Sequence, residues 1–409
     1  MRLDTIGGRE PRPLRHTHLR LAADALATIF GGEIPADGAL RELYARHRSA
    51  GSRDRAQVSE LVYGVLREIF PLRFSLGEMA SALELCVAHA LRNGTTPDAV
   101  PRLDGIDAGV IAQRLAAAPP PDAATRHNLP AWMWDKLCAQ YGEEAGALAD
   151  ALNKPATVDL RANTLKGSRE DAIEALAREG IVATPTSRAA TGLRLSRREA
   201  LQRSESFRDG RIEPQDEGSQ LLAPFTRARA GEVVVDFCAG AGGKTLALGA
   251  QMRDRGELHA FDVSRQRLAR LEPRLARSGL TCVRMQALRN ERDPRLKALA
   301  RKCDAVLVDA PCSASGTLRR NPELRLRTPD LAALVALQRT ILEAAAGLVK
   351  LGGRLVYATC SVLREENEAV VEAFLASAQN FRLDEALTLL PQRDGTDGFY
   401  AARLLATSS

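Results

Sequence analysis

The chain predicts an α/β fold: a Rossmann-like, doubly wound parallel sheet, preceded by a small α+β module and an all-helical N-terminal domain. From Glu232 onward, short β-branched runs (EVVVDF, ELHAFDV, CVRM, DAVLVDA, GGRLVYAT) alternate strictly with helical segments. The first ~115 residues instead repeat apolar positions every three or four residues. Between these regimes lies Ala116-Ala117-Ala118-Pro119-Pro120-Pro121-Asp122, which cannot continue a helix. The expected division is 1–125, 126–225 and 226–409.

In the first part, LRLAADALATIF, GALRELYARH, RAQVSELVYGVLREIF and GEMASALELCVAHALRNG read as amphipathic helices. Gly31-Gly32, Gly51-Ser52 and Asn93-Gly94 punctuate them, and Asp54 is the expected N-cap of the third. In the second part, Trp132 to Leu152 reads as helix and TVDLRANTLK as an alternating strand. SREDAIEALAREG follows as a helix opened by Ser168, and GIVATPTSRAATGLRLS has turn and strand character. No internal repeat is visible.

The 409 residues are 45% apolar and 26% charged, which excludes wholesale disorder. No apolar stretch is long enough to span a bilayer, and the opening MRLDTIGGREPRPLRH lacks an apolar segment behind its arginines. A cytoplasmic protein without a membrane or metal partner is expected, as a monomer. The seven cysteines are scattered without a Cys-x-x-Cys pair, so neither a disulfide framework nor a zinc site is indicated. A net charge of +6 is compatible with nucleic acid but does not establish it.

The informative residues close the strands, because ligands of open α/β sheets bind beyond the strand carboxyl ends. The first apolar run ends in Asp236-Phe237-Cys238-Ala239-Gly240-Ala241-Gly242-Gly243-Lys244-Thr245, a glycine loop opening a helix. Its GKT ending resembles a phosphate-binding loop, but Cys238 stands where that motif needs glycine, leaving a P-loop-like NTPase as an alternative. Asp262 closes the second strand, where an acidic side chain suits ribose hydroxyls. The fourth and fifth strands end in Asp309-Ala310-Pro311-Cys312-Ser313 and Ala358-Thr359-Cys360-Ser361, placing two cysteines beside one crevice.

Two thiols suit pyrimidine methylation. Carbon 5 is a poor nucleophile until a thiolate adds at carbon 6, and a second group then assists loss of the carbon-5 proton and of the thiol. The residues alone leave open which cysteine attacks; a Pro-Cys thiol, as in DNA cytosine-5 methyltransferases, would favour Cys312.

Residues ~130–409 closely resemble the RsmB/Nop2/Sun family of RNA 5-methylcytosine methyltransferases, through DFCAGAGGKT, FDVS, DAPCSASGTLRRNPEL, YATCS and TDGFYAARL. Gln215-Asp216-Glu217-Gly218-Ser219 is similar to the motif preceding that family's catalytic domain, and DRAQVSELVYGVLR to the NusB-like RNA-binding domain of its RsmB type. The resemblance implies a class I S-adenosylmethionine-dependent fold, the cofactor S-adenosylmethionine, and RNA as partner, ribosomal RNA first and transfer RNA second. It implies Cys360 as nucleophile and Cys312 as the group that aids release. Asp309 would contact base or cofactor, and Lys244 would support the site. Cys238, Ala239, Gly240, Ala241, Gly242, Gly243, Lys244, Asp262 and Asp309 would line the cofactor pocket. Arg319 and Arg320 are the residues expected against RNA phosphates. A ribosome-assembly factor that keeps the fold without strong catalysis is the alternative.

Three positions depart from the family pattern. Ala241 stands where proline is usual, and Leu326 where an aromatic often follows the RRxPD-like segment. Ala287 stands where an aspartate usually follows the third strand, with Asn290 and Asp293 as nearby candidates to replace it.

Overall fold

The computed structural model describes residues 14–32 and 34–408, so most of the arginine-bearing opening segment lies outside the described residues. The chain forms two compact units, Met1–Asn153 with Asn321–Arg327, and Lys154–Arg320 with Thr328–Ser409.

The first unit is helical. His16–Phe30 buries His18, Leu19, Ala22, Ala25, Leu26 and Ile29, the spacing of one helical stripe. It packs against Ser52–Leu66 and Ala82–Arg92 around Val62, Leu66 and Leu85. Asp54 is not the N-cap of Ser52–Leu66: Gly51 is, and the Asp54 carboxylate accepts from the Gly51 amide from within the first turn. A carboxylate there answers the free amides of the helix start equally well. Asn321–Arg327 completes this unit. Arg325 is buried and donates to the Asn128 carbonyl (3.1 Å) and Asn153 Oδ1 (2.6 Å), while Glu323 accepts from the Ala36 amide.

The second unit holds two sheets. β1 (Asp159–Ala162), β2 (Ala183–Pro185), β3 (Gly192–Leu195) and β4 (Ile212–Pro214) form an antiparallel sheet in the order β2-β3-β1-β4. The alternation expected of β1 is absent; all four residues are buried. The helix Arg169–Arg178, capped by Ser168 as expected, packs against it. So does Glu217–Thr226, whose Gln220 donates to the Leu160 carbonyl.

β5 (Val233–Asp236), β6 (Glu257–Asp262), β7 (Val283–Ala287), β8 (Cys303–Asp309), β9 (Val349–Thr359), β10 (Phe381–Leu389) and β11 (Phe399–Ala406) form the main sheet. Its order is β10-β11-β9-β8-β5-β6-β7. The five strands from β9 to β7 are parallel, the Rossmann-like arrangement expected. Two antiparallel strands, unforeseen in the sequence, extend it: β11 pairs with β9, and β10 with β11. β10 is largely exposed, so it carries little of the apolar signal that marks the inner strands. β8 and β9 are direct neighbours, with Asp309 opposite Ala358. That register brings the two cysteine-bearing strand ends together.

Candidate active site

The glycine loop turns sharply at the end of β5. Gly240 (φ 56°) and Gly242 (φ 83°) both occupy the left-handed region, and a Cβ on Gly242 would come within 2.1 Å of Leu271. Asp262, at the end of β6, accepts from the Gly240 amide (2.8 Å) and the Ser264 amide (2.7 Å), pinning the loop to the neighbouring strand. Arg274 donates to the Ala241 carbonyl and bonds Glu213, bracing the position that lacks proline.

Three carboxylates gather here: Asp236, Asp262 and Asp309 all bear electrostatically on Cys238. Asp236 is buried, accepts from Thr245 Oγ1 (2.7 Å), and leaves its second oxygen unpartnered. Burial pushes its carboxyl up to about 7. Burial, reinforced by these acids, pushes the Cys238 thiol up as well, which leaves it unreactive. Such an acidic crevice repels a triphosphate. It suits a cationic sulfonium whose adenosine presents hydroxyl donors.

Lys244 lies in the first turn of the helix Gly243–Gln251, and its Nζ lies 2.6 Å from Asp309 Oδ2. Burial alone would lower the ammonium; Asp309, with smaller help from Cys360 and Asp236, holds it above the ordinary lysine value. The Sγ atoms of Cys312 and Cys360 are 3.5 Å apart. Contact with Cys360, then burial, then the charges of Cys360 and Glu366 push the Cys312 thiol up. These influences favour the protonated form of Cys312, while Lys244 bears electrostatically on Cys360.

Arg319 and Arg320 stand apart from this cluster. Arg319 is buried and donates to the Gly395 and Thr396 carbonyls, both at 2.8 Å. Arg320 bridges Asp216 (3.0 Å) and Asp397 (2.8 Å). Both guanidiniums bond acceptors inside the fold; Arg319 is buried, and the Arg320 side chain stays 37% exposed. At the end of β7, the Ala287 carbonyl accepts from Arg295. Asp293 is held well below the usual carboxylate range by hydrogen bonds from Arg295 and Arg289, and Asn290 Oδ1 accepts from the Arg292 amide. Of the two replacement candidates, Asp293 is fully engaged, while Asn290 is exposed.

The sequence reading missed Ser313, Ser361, Gln338 and Glu366, which knit the two cysteine loops together. The run Glu365-Glu366-Asn367, shortly after Cys360, was a signal, though an acidic cluster ahead of a helix reads more simply as a solvated helix start. Among the described residues, no group of three or more His, Cys, Asp or Glu side chains could hold a metal ion, and no helix is long and apolar enough to cross a membrane.

Residues 221–405 match the 16S rRNA methyltransferase RsmB/F family model, and residues 129–202 the ferredoxin-like domain of RsmF/B-like methyltransferases. The chain is 32% identical to ribosomal RNA small subunit methyltransferase B of Erwinia tasmaniensis, covering 89% of this chain and 93% of that one. It is 34% identical to a probable ribosomal RNA small subunit methyltransferase B of Synechocystis, covering 68% and 67%. Among solved structures, PH0851 superposes with a TM-score of 0.81 at 26% identity, over 96% of this chain and all of the other. A methyltransferase homolog from Pyrococcus horikoshii superposes with a TM-score of 0.61 at 29% identity, over 69% of this chain and 97% of that one.

Proposed function

Because the chain belongs to the RsmB/F family of 16S rRNA methyltransferases, we propose that it methylates carbon 5 of a cytidine in RNA, ribosomal RNA first. The observation that carries this reading is the 3.5 Å approach of the Cys312 and Cys360 sulfurs at the ends of adjacent parallel strands. A single buried thiol is usually only a small hydrophobe; a pair facing the cofactor crevice calls for chemistry.

In this mechanism the Cys360 thiolate adds to carbon 6, and carbon 5 becomes nucleophilic. S-adenosylmethionine, when bound, supplies the electrophilic methyl group. The residues from Cys238 to Lys244, with Asp262 and Asp309, would hold it. Lys244, kept protonated by Asp309, sets a positive charge near Cys360 and orients Asp309 toward the base. For release, solvent water acting as base takes the carbon-5 proton, and the electrons of that bond restore the 5,6 double bond as the carbon–sulfur bond breaks. Cys312 assists by hydrogen bonding to the departing sulfur. The cytidine must leave its stack, because carbon 6 is inaccessible within a helix. The helical unit and the small antiparallel sheet would grip the surrounding RNA. Arg319 and Arg320 we read as internal braces of the site.

The test is methyl-labelled S-adenosylmethionine with total RNA and with partly assembled small subunits. Wild type should place label in 5-methylcytosine, Cys360→Ala should place none, and Cys312→Ala should accumulate a protein–RNA adduct that survives denaturation. An adduct with Cys360→Ala would exchange the two roles. A weakly catalytic assembly factor is the second reading, favoured by Ala287 and the occupied Asp293. Cofactor titration that finds no binding would support it.

A further inference from the structure

Glu366 is buried completely, in the short turn Arg364–Glu366 that follows the Cys360 loop. Its Oε1 accepts from the Ser313 amide (2.8 Å) and Gln338 Nε2 (3.0 Å). Its Oε2 accepts from Ser313 Oγ (2.5 Å) and Ser361 Oγ (2.6 Å). All four donors are neutral. A buried carboxylate without a cation is costly, and only such a full set of donors offsets the lost hydration. Ser313 follows Cys312 and Ser361 follows Cys360, so one carboxylate is tied to both cysteine loops. Between them, Ala314 sits in the left-handed region (φ 56°), a conformation a residue with a Cβ keeps only when its surroundings hold it. Ser315 Oγ lies 2.9 Å from Ser361 Oγ, and the Gly316 amide donates to the Cys360 carbonyl (2.9 Å), continuing the seam.

We propose that Glu366 is a positioning residue that fastens the Cys312 loop to the Cys360 loop and so sets the separation of the two thiols. Its catalytic consequence rests on the two-cysteine reading above; its geometric content does not. The carboxylate also places a negative charge beside Cys312, after Cys360 and burial the next influence that keeps that thiol protonated. The other titratable groups around the pair are Lys244, which feels Cys360, its partner Asp309, and Tyr357, which feels Cys312 and Glu366.

Glutamine at 366 can preserve the ties and remove the charge. Its carbonyl would accept from the Ser313 amide and Gln338, and its amide would donate to the two serine hydroxyls, which rotate to accept. Alanine removes the ties altogether.

The experiment uses the full chain and a readout independent of methyl transfer. Diamide takes two electrons and two protons from Cys312 and Cys360, becoming a hydrazine as the disulfide forms. Mass spectrometry of the joined peptides gives the rate from pH 6 to 10. Glu366→Ala should form the bond at least about tenfold more slowly than wild type, because the sulfurs no longer dwell in contact. Glu366→Gln should keep the maximal rate within about threefold, with its pH profile moved about one unit lower by the lost charge. The shifted profile reads the lost charge, and rescue of the rate by glutamine but not alanine reads the ties. A folded Glu366→Ala that reacts as fast as wild type overturns the proposal, and so does a Glu366→Gln as slow as the alanine variant. If Glu366→Ala does not fold, Ser313→Ala decides, since it loses one tie and keeps the charge: slower reaction supports the proposal, an unchanged rate overturns it. Methyl transfer is scored separately, so an inactive wild type would sink the functional reading while leaving the thiol result to stand.

Discussion

Lys244 Nζ lies 2.6 Å from Asp309 Oδ2 and 5.9 Å from the centroid of the Phe399 ring, joining the helix after the glycine loop to the ends of β8 and β11. Three distant segments thus converge on one ammonium. Lys244→Met should lower single-turnover methyl transfer by about 10²–10³-fold, the scale of losing one preorganised electrostatic group. Because the ammonium also bears on Cys360, adduct formation should slow along with methyl transfer. Quenched single-turnover reactions check both.

The glycine loop makes a steric prediction. Gly242→Ala must hold φ near 83° while its Cβ displaces Leu271. The variant should lose about 1–3 kcal/mol of stability. Its affinity for S-adenosylhomocysteine should also weaken, since the loop can no longer keep its turn. Urea unfolding and titration calorimetry measure the two effects; a variant unchanged in both would contradict the turn geometry.

Asp236 predicts a pH-dependent stability. Burial pushes its carboxyl up to about 7, whereas the unfolded chain releases that proton near about 3.9. Between those values the folded state holds a proton that the unfolded state has lost. The contribution is full below about pH 4 and declines as pH rises through 7, by up to about 1.4 kcal/mol per pH unit. Asp236→Asn removes this dependence, so its stability relative to wild type should improve steadily from pH 4 to 7. Chemical denaturation at several pH values reads the slope.

Arg320 separates an internal brace from a phosphate contact. Burial and Asp397 push Asp216 up to about 6, and Arg320 opposes both. Arg320→Ala should cost about 2–3 kcal/mol at pH 7, less than a wholly buried pair because the arginine is partly solvated. The loss should shrink at pH 5, where Asp216 takes up a proton. The salt dependence of RNA binding should stay as in wild type; a slope reduced by about one would mark a phosphate contact instead.

Much of the site was legible because its signals are local. Short β-branched runs, the glycines after Asp236, and cysteines one to three residues past the strand ends need no knowledge of the fold. The internal partners of Arg319 and Arg320 were not legible for the opposite reason. Arginines after a catalytic loop look solvated in sequence, and only packing shows the Gly395 and Thr396 carbonyls and the Asp216 and Asp397 carboxylates that occupy them. The antiparallel β10 escaped notice because an edge strand with one solvated face lacks a continuous apolar run.

By itself the sequence determined the order of the parallel strands and their helices, the glycine turn, and which strand ends carry Asp236, Asp262, Asp309, Cys312 and Cys360. Backbone propensity and hydrophobic period act over a few residues and are written in the local order of the chain. Tertiary structure alone decided that β8 and β9 bring two sulfurs to 3.5 Å, that Lys244 meets Asp309, and that Glu366 ties both cysteine loops. Those outcomes depend on desolvation and on hydrogen bonds between residues up to 65 positions apart, which exist only once the sheet has closed around them.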